Sequence, residues 1–303
     1  MLESLKIING KLQPTIEGDG NVLLYYEPTE NELNSILNSY NIDNYAIRSC
    51  LDSDEIPRIE IEKDYSLLIL KRPKSVSPSE STIFNINTVG IFIVKNKIIF
   101  LMKENPHILE NKSFKVETLI DVLLRFIYST VSHFIGHLKI INMITESFEK
   151  NLTDSTSNKI SIYMYNLKKS LVYYIAGIKE NAIFLDKLKN LSKKLDFSDD
   201  NIDLITDIII ENEQAKKLSI IFSSIIDVMI NAKEVVTNNK LNKTMKNLTL
   251  ITAVFVPLSF IAGVFGMSEW TVFTGGESNM VISYTAFLII SVIVAVVMYF
   301  VFN

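Results

Sequence analysis

The feature that most limits what this chain can fold into lies near its C-terminal end, where two long stretches carry no charge. Leu248–Phe265, LTLITAVFVPLSFIAGVF, runs for 18 residues, and Val281–Phe302, VISYTAFLIISVIVAVVMYFVF, for 22. A hydrocarbon core about 30 Å thick takes roughly 20 helical residues to cross, and a helix satisfies its own backbone polar groups there. The pair therefore predicts two transmembrane helices rather than two buried helices of a soluble core, with a lipid bilayer as their surroundings. Lys240, Lys243 and Lys246 precede the first stretch, whereas the connection 266–280 holds Glu269 and Glu277 and no Lys or Arg. Positive charge stays on the cytoplasmic side. This places the large N-terminal region in the cytoplasm, the short loop outside, and the C-terminus back in the cytoplasm. The start MLESLKIING has no apolar core behind a basic patch, so it is not read as a signal peptide.

The two stretches differ in character. The second is almost entirely Val, Ile, Phe and Ala, suited to face lipid. The first holds Thr249, Thr252, Pro257, Ser259 and Gly263. Thr249, Thr252, Val256, Ser259 and Gly263 recur at spacings of three and four, which puts them on one helix face. Hydroxyls inside a bilayer seek a partner helix or a wet cavity, so the face reads either as helix–helix glue or as the lining of a water-filled path. Two helices cannot enclose a pore; a path would need several copies with their first spans at a common axis.

Ahead of these spans the chain has two textures. Residues 1–110 read as a mixed α+β domain. Strands are expected at Val22–Glu27, Arg58–Lys63, Tyr65–Lys71, Asn85–Val94 and Lys97–Met102, all rich in β-branched and aromatic residues. Thr29–Glu32, TENE, is a capping box that starts a helix, and a second short helix is expected over Ile42–Leu51. Lys74–Thr82 and Lys95–Lys97 read as turns. Residues 111–198 read as helical, with periodicity over Val116–Leu152 and Ile160–Leu195 and the polar run TDSTSN between them. No proline falls between Pro106 and Pro257 and no glycine between Gly177 and Gly263. Nothing therefore stops a third helix, capped near DFSDDN (Asp196–Asn201), before it enters the membrane. It is predicted over 199–265, about 100 Å at 1.5 Å per residue. Its apolar positions Ile205, Ile208, Ala215, Leu218, Phe222, Ile225, Met229 and Ala232 are expected to pack on partner helices, including copies of itself.

Several function classes fall away. The net charge of −4 gives no footprint for nucleic acid. One cysteine, Cys50, allows no internal disulfide and no cysteine-based zinc site. No Gly-rich phosphate loop, Ser-His-Asp set or nucleotide motif occurs, which argues against an enzyme and against an organic cofactor. His133 and His137 in HFIGH stand at i and i+4, a spacing that suits a metal, but no third ligand is evident and they are read as ordinary helix residues. The acids of LDSDE have no calcium-loop spacing and are read as caps and turns.

The segment Asn239–Trp270, NKLNKTMKNLTLITAVFVPLSFIAGVFGMSEW, resembles the stalk-and-pore segment of the CorA family of divalent-cation channels, through Pro257, Leu258, Ser259, Phe260, Gly263, Gly266 and Met267. The segment Leu51–Leu70 and the strand pair around Asn87–Leu101 look more loosely like that family's cytoplasmic domain. The resemblance implies a funnel-shaped homopentamer in the plasma membrane of a prokaryote. Each copy would be an α+β cytoplasmic domain followed by a long stalk helix and two C-terminal transmembrane helices (248–265 and 281–302) joined by the loop 266–280. It implies that five first spans line a path for Mg2+, which would be both the transported ion and a cytosolic regulator. Asn242 would form a polar ring, Met245, Leu248 and Val256 apolar constrictions, and Ser259 a hydroxyl ring. Gly266, Met267 and Ser268 would form the outer mouth, and Asp207 would be a stalk carboxylate for the regulatory ion. Neutral acceptors suit a cation that dehydrates reluctantly, and Glu269 and Glu277 would concentrate cations outside.

Two departures from the family pattern stand out. Ser268 occupies the place of the family's Asn, and a hydroxyl is shorter than a carboxamide and has one donor instead of two. The chain ends YFVFN without a basic tail. The first departure leaves two further readings: a relative preferring Zn2+, Co2+ or Ni2+, and a non-conducting membrane-anchored sensor or scaffold.

Overall fold

The computed structural model of the protein describes residues 1–16, 19–75, 83–104, 115–150, 158–265 and 280–302. Two compact bodies are present, Met1–Ile230 and Asn231–Asn303.

The first body is built on one seven-stranded sheet with the order β2-β1-β3-β7-β6-β5-β4. Its strands are β1 (Leu2–Ile8), β2 (Lys11–Pro14), β3 (Val22–Tyr26), β4 (Arg58–Ile61), β5 (Ser66–Pro73), β6 (Ile86–Val94) and β7 (Lys97–Met102). The last five lie on the five segments expected to be strands. The first two form a hairpin that sequence reasoning missed. Asn9 (φ 49°) and Gly10 (φ 74°) turn it, and an Asn-Gly pair with both φ values positive is the favoured two-residue hairpin turn. Every neighbouring pair is antiparallel except β3 with β7, which run parallel.

Side chains alternate across a strand, and both faces of this sheet are covered. Leu23, Tyr25, Leu67, Ile69, Phe92, Ile99 and Leu101 face helices α1 (Glu30–Tyr40) and α2 (Asn44–Leu51). Val22, Leu24, Leu68, Leu70, Ile91 and Phe100 face α3 (Leu119–Lys150), α4 (Asn158–Asn190) and the start of α5 (Asp199–Phe265). Burial on both faces explains why β5 and β7 are near-continuous apolar runs instead of alternating ones. At Gly90 on β6 the backbone lies against α2 so closely that an added Cβ would sit 2.0 Å from Cys50 Sγ.

The helix starts follow local chemistry. Thr29 caps α1 in a full capping box: Glu32 N donates to the Thr29 hydroxyl and Thr29 N donates to the Glu32 carboxylate. The Thr29 N–H is the largest influence holding the Glu32 carboxyl below its ordinary range. Thr118 and Asp121 exchange bonds at the head of α3, as Ser198 and Asn201 do at the head of α5. Asn201 Nδ2 donates to Asp121 Oδ1 at 2.7 Å, which ties the two heads together. The acids of LDSDE do act as caps and turns: Asp52 ends α2, and Asp54 N donates to Asp52 Oδ1.

A third apolar cluster joins the far part of α3 (Phe134, Leu138, Ile141) to α4 (Leu167, Leu171, Tyr174) and to α5 (Ala215, Ile226, Met229). The stripe expected on α5 is thus covered within the chain itself over Ile205, Ile208, Ala215 and Met229, with Leu218 and Phe222 partly buried. Two of its members differ. Ile225 is exposed while Ile226 is buried in its place, and Ala232 is exposed. Helix α3 is long and apolar enough to cross a membrane, but its first turns, Val122, Leu123, Leu124, Phe126 and Ile127, are packed into the core of the sheet domain. Among its described residues the second body contains the remainder of α5 and a further helix, α6 (Met280–Phe302).

Candidate functional site

The residues singled out for an ion path fall on α5. Helix geometry, at 100° per residue, places Asn242, Met245, Leu248, Thr249, Thr252, Val256, Ser259 and Gly263 within roughly a third of the helix circumference. Lys240 and Lys243 fall on the opposite side by the same count, and Lys246 on the flank, about 40° beyond Asn242. From Asn238 to Gly263 the first arc contains no charged residue. It is exposed in the single chain: Met245 is 54 %, Leu248 56 % and Val256 60 % accessible, and none of the most apolar part of the helix is buried.

The two threonine hydroxyls of this arc are satisfied within the helix. Thr249 Oγ1 donates to Met245 O at 2.8 Å and Thr252 Oγ1 to Leu248 O at 2.9 Å. Each therefore turns lone pairs outward while its proton is already used, so the arc presents acceptors without demanding a donor from a neighbouring helix. Pro257 stands inside the helix. It has no N–H for the carbonyl four residues back, and Leu248, Thr249, Thr252, Ala253, Val256 and Pro257 line an open concavity there. In α6, Val281, Ile282, Leu288, Ile289, Val292 and Phe300 are all exposed, with no charged residue along the helix.

Gly266, Met267, Ser268, Glu269 and Glu277 lie outside the described residues. Asp207 is described and is exposed on α5. Among the described residues no three His, Cys, Asp or Glu side chains converge as a metal site, so Asp207 is not brought together with other ligands in one chain. Sequence reasoning missed its surroundings along the helix: Asp203, Asp207 and Glu211 repeat at i, i+4, i+8, a row of like charges in which each member opposes the next. The signal, D-x-x-x-D-x-x-x-E, was present.

His133 and His137 are neighbours on α3 as expected, with ring centroids 4.3 Å apart. They do not form a cation site. Arg72 acts on both rings, and His137 Nδ1 is engaged by the Tyr174 hydroxyl at 2.6 Å. A cleft of ≈ 510 Å3 beyond the ends of β3 and β7 is lined by Ser53, Lys74, Asn87, Lys103 and Glu104. Its polar groups pair with one another: Lys74 with Glu104 at 3.4 Å, Asn87 with Glu104 at 3.3 Å and Lys103 with Ser53 at 3.0 Å.

Comparison with known proteins bears on the same elements. The family model described as "CorA-like Mg2+ transporter protein" matches residues 23–303. The cobalt/magnesium transport protein CorA of Methanocaldococcus jannaschii is 24% identical over 249 residues, 80% of this chain and 78% of that one. The complete structure of the M. jannaschii CorA magnesium transporter superposes with a TM-score of 0.79 at 19% identity, covering 99% of this chain and 96% of that one. The full-length CmaX protein superposes with a TM-score of 0.72 at 16% identity, covering 99% and 95%. At these identities the superpositions show a shared fold.

Proposed function

This chain belongs to the CorA-like Mg2+ transporter family, and we propose from that premise that it is a homopentameric channel for divalent cations that carries Mg2+ into the cell down the membrane potential. The observation that carries this reading is the uncharged arc on α5, with Lys240 and Lys243 on the other side of the helix and Lys246 at its flank. Five such arcs around an axis form stacked neutral rings: Asn242, then Met245 and Leu248, then the threonines, then Val256, then Ser259. Mg2+ gives up its waters reluctantly. Amide, hydroxyl and carbonyl acceptors hold the hydrated ion through its water shell and release it again, whereas a ring of carboxylates would hold it too long. Met245, Leu248 and Val256 form apolar constrictions that close by losing their water.

In this reading α6 faces lipid, both termini are cytoplasmic, and Gly266, Met267 and Ser268 form the outer mouth of a protein in a prokaryotic plasma membrane. Glu269 and Glu277 gather cations outside it. The row Asp203–Asp207–Glu211 supports cytosolic regulation. A divalent cation held between this row and carboxylates of a neighbouring copy relieves the repulsion along the helix and favours the closed arrangement. Ser268 favours a second reading, a channel that prefers Co2+, Ni2+ or Zn2+, because a ring of short hydroxyls grips a hydrated Mg2+ less well than a ring of carboxamides.

The test is influx into liposomes holding an indicator dye under an inside-negative potential, with Mg2+, Co2+, Ni2+ and Zn2+ compared for the natural chain and Ser268→Asn. Entry of Mg2+ supports the first reading. Entry of Zn2+, Co2+ or Ni2+ without Mg2+ supports the second, and no influx in either protein leaves a membrane-anchored sensor.

A further inference from the structure

Between α3, α4 and β5 lies a buried group of basic side chains that the transport reading does not use. His137 is 6 % and Arg72 5 % exposed. His133 sits one turn before His137 on α3, its ring 4.3 Å away, and its Nδ1 is buried without a hydrogen-bond partner among the described residues. His137 Nδ1 meets the Tyr174 hydroxyl of α4 at 2.6 Å, a side-chain bond that crosses the seam between the two helices. The Phe84 ring closes the pocket edge-on, 5.3 Å from His137 and 6.3 Å from Tyr174.

The charges that act on the pair have one sign. From β5 comes the Arg72 guanidinium; from α3, each imidazole once the other is protonated; from α4, only the neutral Tyr174 hydroxyl, whose ionisation burial pushes far up. Helix α5 contributes the apolar Ala215, Ile226 and Met229 to the surrounding cluster, and among the described residues no carboxylate acts on either ring. Just past β7, Glu104 acts on Arg72; His137 is buried and His133 half-buried, so a cation formed on either ring has little water and no carboxylate of its own.

We propose that the His133–His137 pair is a proton-operated release point for the α3–α4 seam, at which proton uptake by either ring drives α3 away from α4 and β5. Burial first, then the neighbouring basic groups, push both imidazoles down to about 4 in the closed seam, from an ordinary value near 6.5. The opened seam therefore binds protons that the closed one refuses. Closure is fully favoured above the ordinary histidine value and weakens as pH falls from there toward about 4. The opening equilibrium rises by up to about tenfold per pH unit for each ring, and up to about a hundredfold for both. Since α5 packs on α3 and α4 through the same cluster, acid loosens the cradle of the long helix without touching the ion path.

The test is hydrogen exchange of the full chain in detergent, read by mass spectrometry at pH 7.5, 6.5 and 5.5 after correction for intrinsic exchange. The natural protein is compared with His133→Gln/His137→Gln. Peptides of α3 and α4 should lose protection as pH falls in the natural protein, at least tenfold more than in the double variant, while β5–β7 hold. Equal pH dependence in the two proteins overturns the proposal. Should the double variant fail to fold, histidine-labelled NMR of the His107→Gln protein leaves two imidazoles to follow. Midpoints below 5 in the folded protein support the release point, and midpoints near 6.5 overturn it. Neither readout depends on which ion is carried.

Discussion

The side-chain amide of Asn181 on α4 takes both outward main-chain positions of Lys71 on β5: Nδ2 donates to the Lys71 carbonyl at 2.7 Å and Oδ1 accepts from the Lys71 N–H at 2.8 Å. The strand β4 begins at Arg58, opposite Ile69, so two residues further along the edge of β5 has no strand beside it. Asn181, 2 % exposed, stands in for the missing strand. Asn181→Ala leaves a buried N–H and a buried C=O unpaired, at about 1–3 kcal/mol each. We expect a loss of about 2–5 kcal/mol, seen as a fall of several degrees in the thermal midpoint of the detergent-solubilised protein by circular dichroism. An unchanged midpoint would count against this role.

The contact between Gly90 and Cys50 predicts a second sensitive position. An alanine methyl at 90 would lie 2.0 Å from Cys50 Sγ and 2.3 Å from Cys50 Cβ, so the sheet and α2 must move apart. Overpacking of this kind costs about 1–3 kcal/mol. Gly90→Ala should destabilise the protein, and adding Cys50→Ala should restore only part of the loss, because the Cβ remains. The thiol itself is fully buried and burial pushes its ionisation far up. A maleimide at neutral pH should leave the folded natural protein unlabelled and label it at once in denaturant.

The polar arc predicts opposite effects at adjacent levels. Ser259→Lys puts a ring of ammonium groups across the proposed path and should cut divalent influx to below about a tenth of the natural rate. Val256→Ser makes an apolar constriction wettable and should raise influx when internal Mg2+ is high. Lys243→Gln, on the other side of the helix, should leave influx through the path nearly unchanged. Liposome flux with an internal indicator reads all three.

The acidic row on α5 predicts a change in regulation apart from conduction. Asp203→Asn/Asp207→Asn/Glu211→Gln removes the charges that a cytosolic cation would bridge. Influx at low internal Mg2+ should stay within about twofold of the natural protein, and its suppression by millimolar internal Mg2+ should be lost. Retained suppression would show that regulation resides elsewhere.

What could be read from the sequence divides along physical lines. The strands β3 to β7 are legible because each carries β-branched, leucine or aromatic residues bounded by turn formers. The length of α5 is legible because proline and glycine are absent over its soluble part. The hairpin of β1 and β2 is harder to see, since Leu2–Ile8 mixes Glu, Ser and Lys with its apolar residues; only Asn9-Gly10 announces it. The face of α5 that carries the proposed path follows from spacings of three and four, and the placement of Lys240 and Lys243 away from it follows from helical continuity. Ile225 and Ile226 exchange places because a small rotation of α5 against α3 and α4 decides which neighbour is buried, and periodicity does not resolve one residue. The Asn181–Lys71 bonds join positions 110 residues apart, beyond the reach of any local pattern. In the proposed assembly the carboxylates that would complete a site with Asp207 come from a second copy, whose approach no single chain encodes in readable form.

The parallel pairing of Val22–Tyr26 with Ile98–Met102 bears on the order in which the polypeptide organises itself during synthesis. The meander from Arg58 to Met102 is built from sequence neighbours and closes on its own contacts, whereas the three N-terminal strands wait for the chain to reach Met102 before the free edge of β3 finds a partner. Pairings over such separations are slow to form, and an unpaired edge invites association with other nascent chains. The helices α3 to α5 that cover the second face of this sheet, and the apolar C-terminal stretches, emerge later still. A ribosome pause or a truncation ahead of residue 102 would thus leave three strands with an open apolar edge, and cellular quality control would meet this protein first at that edge.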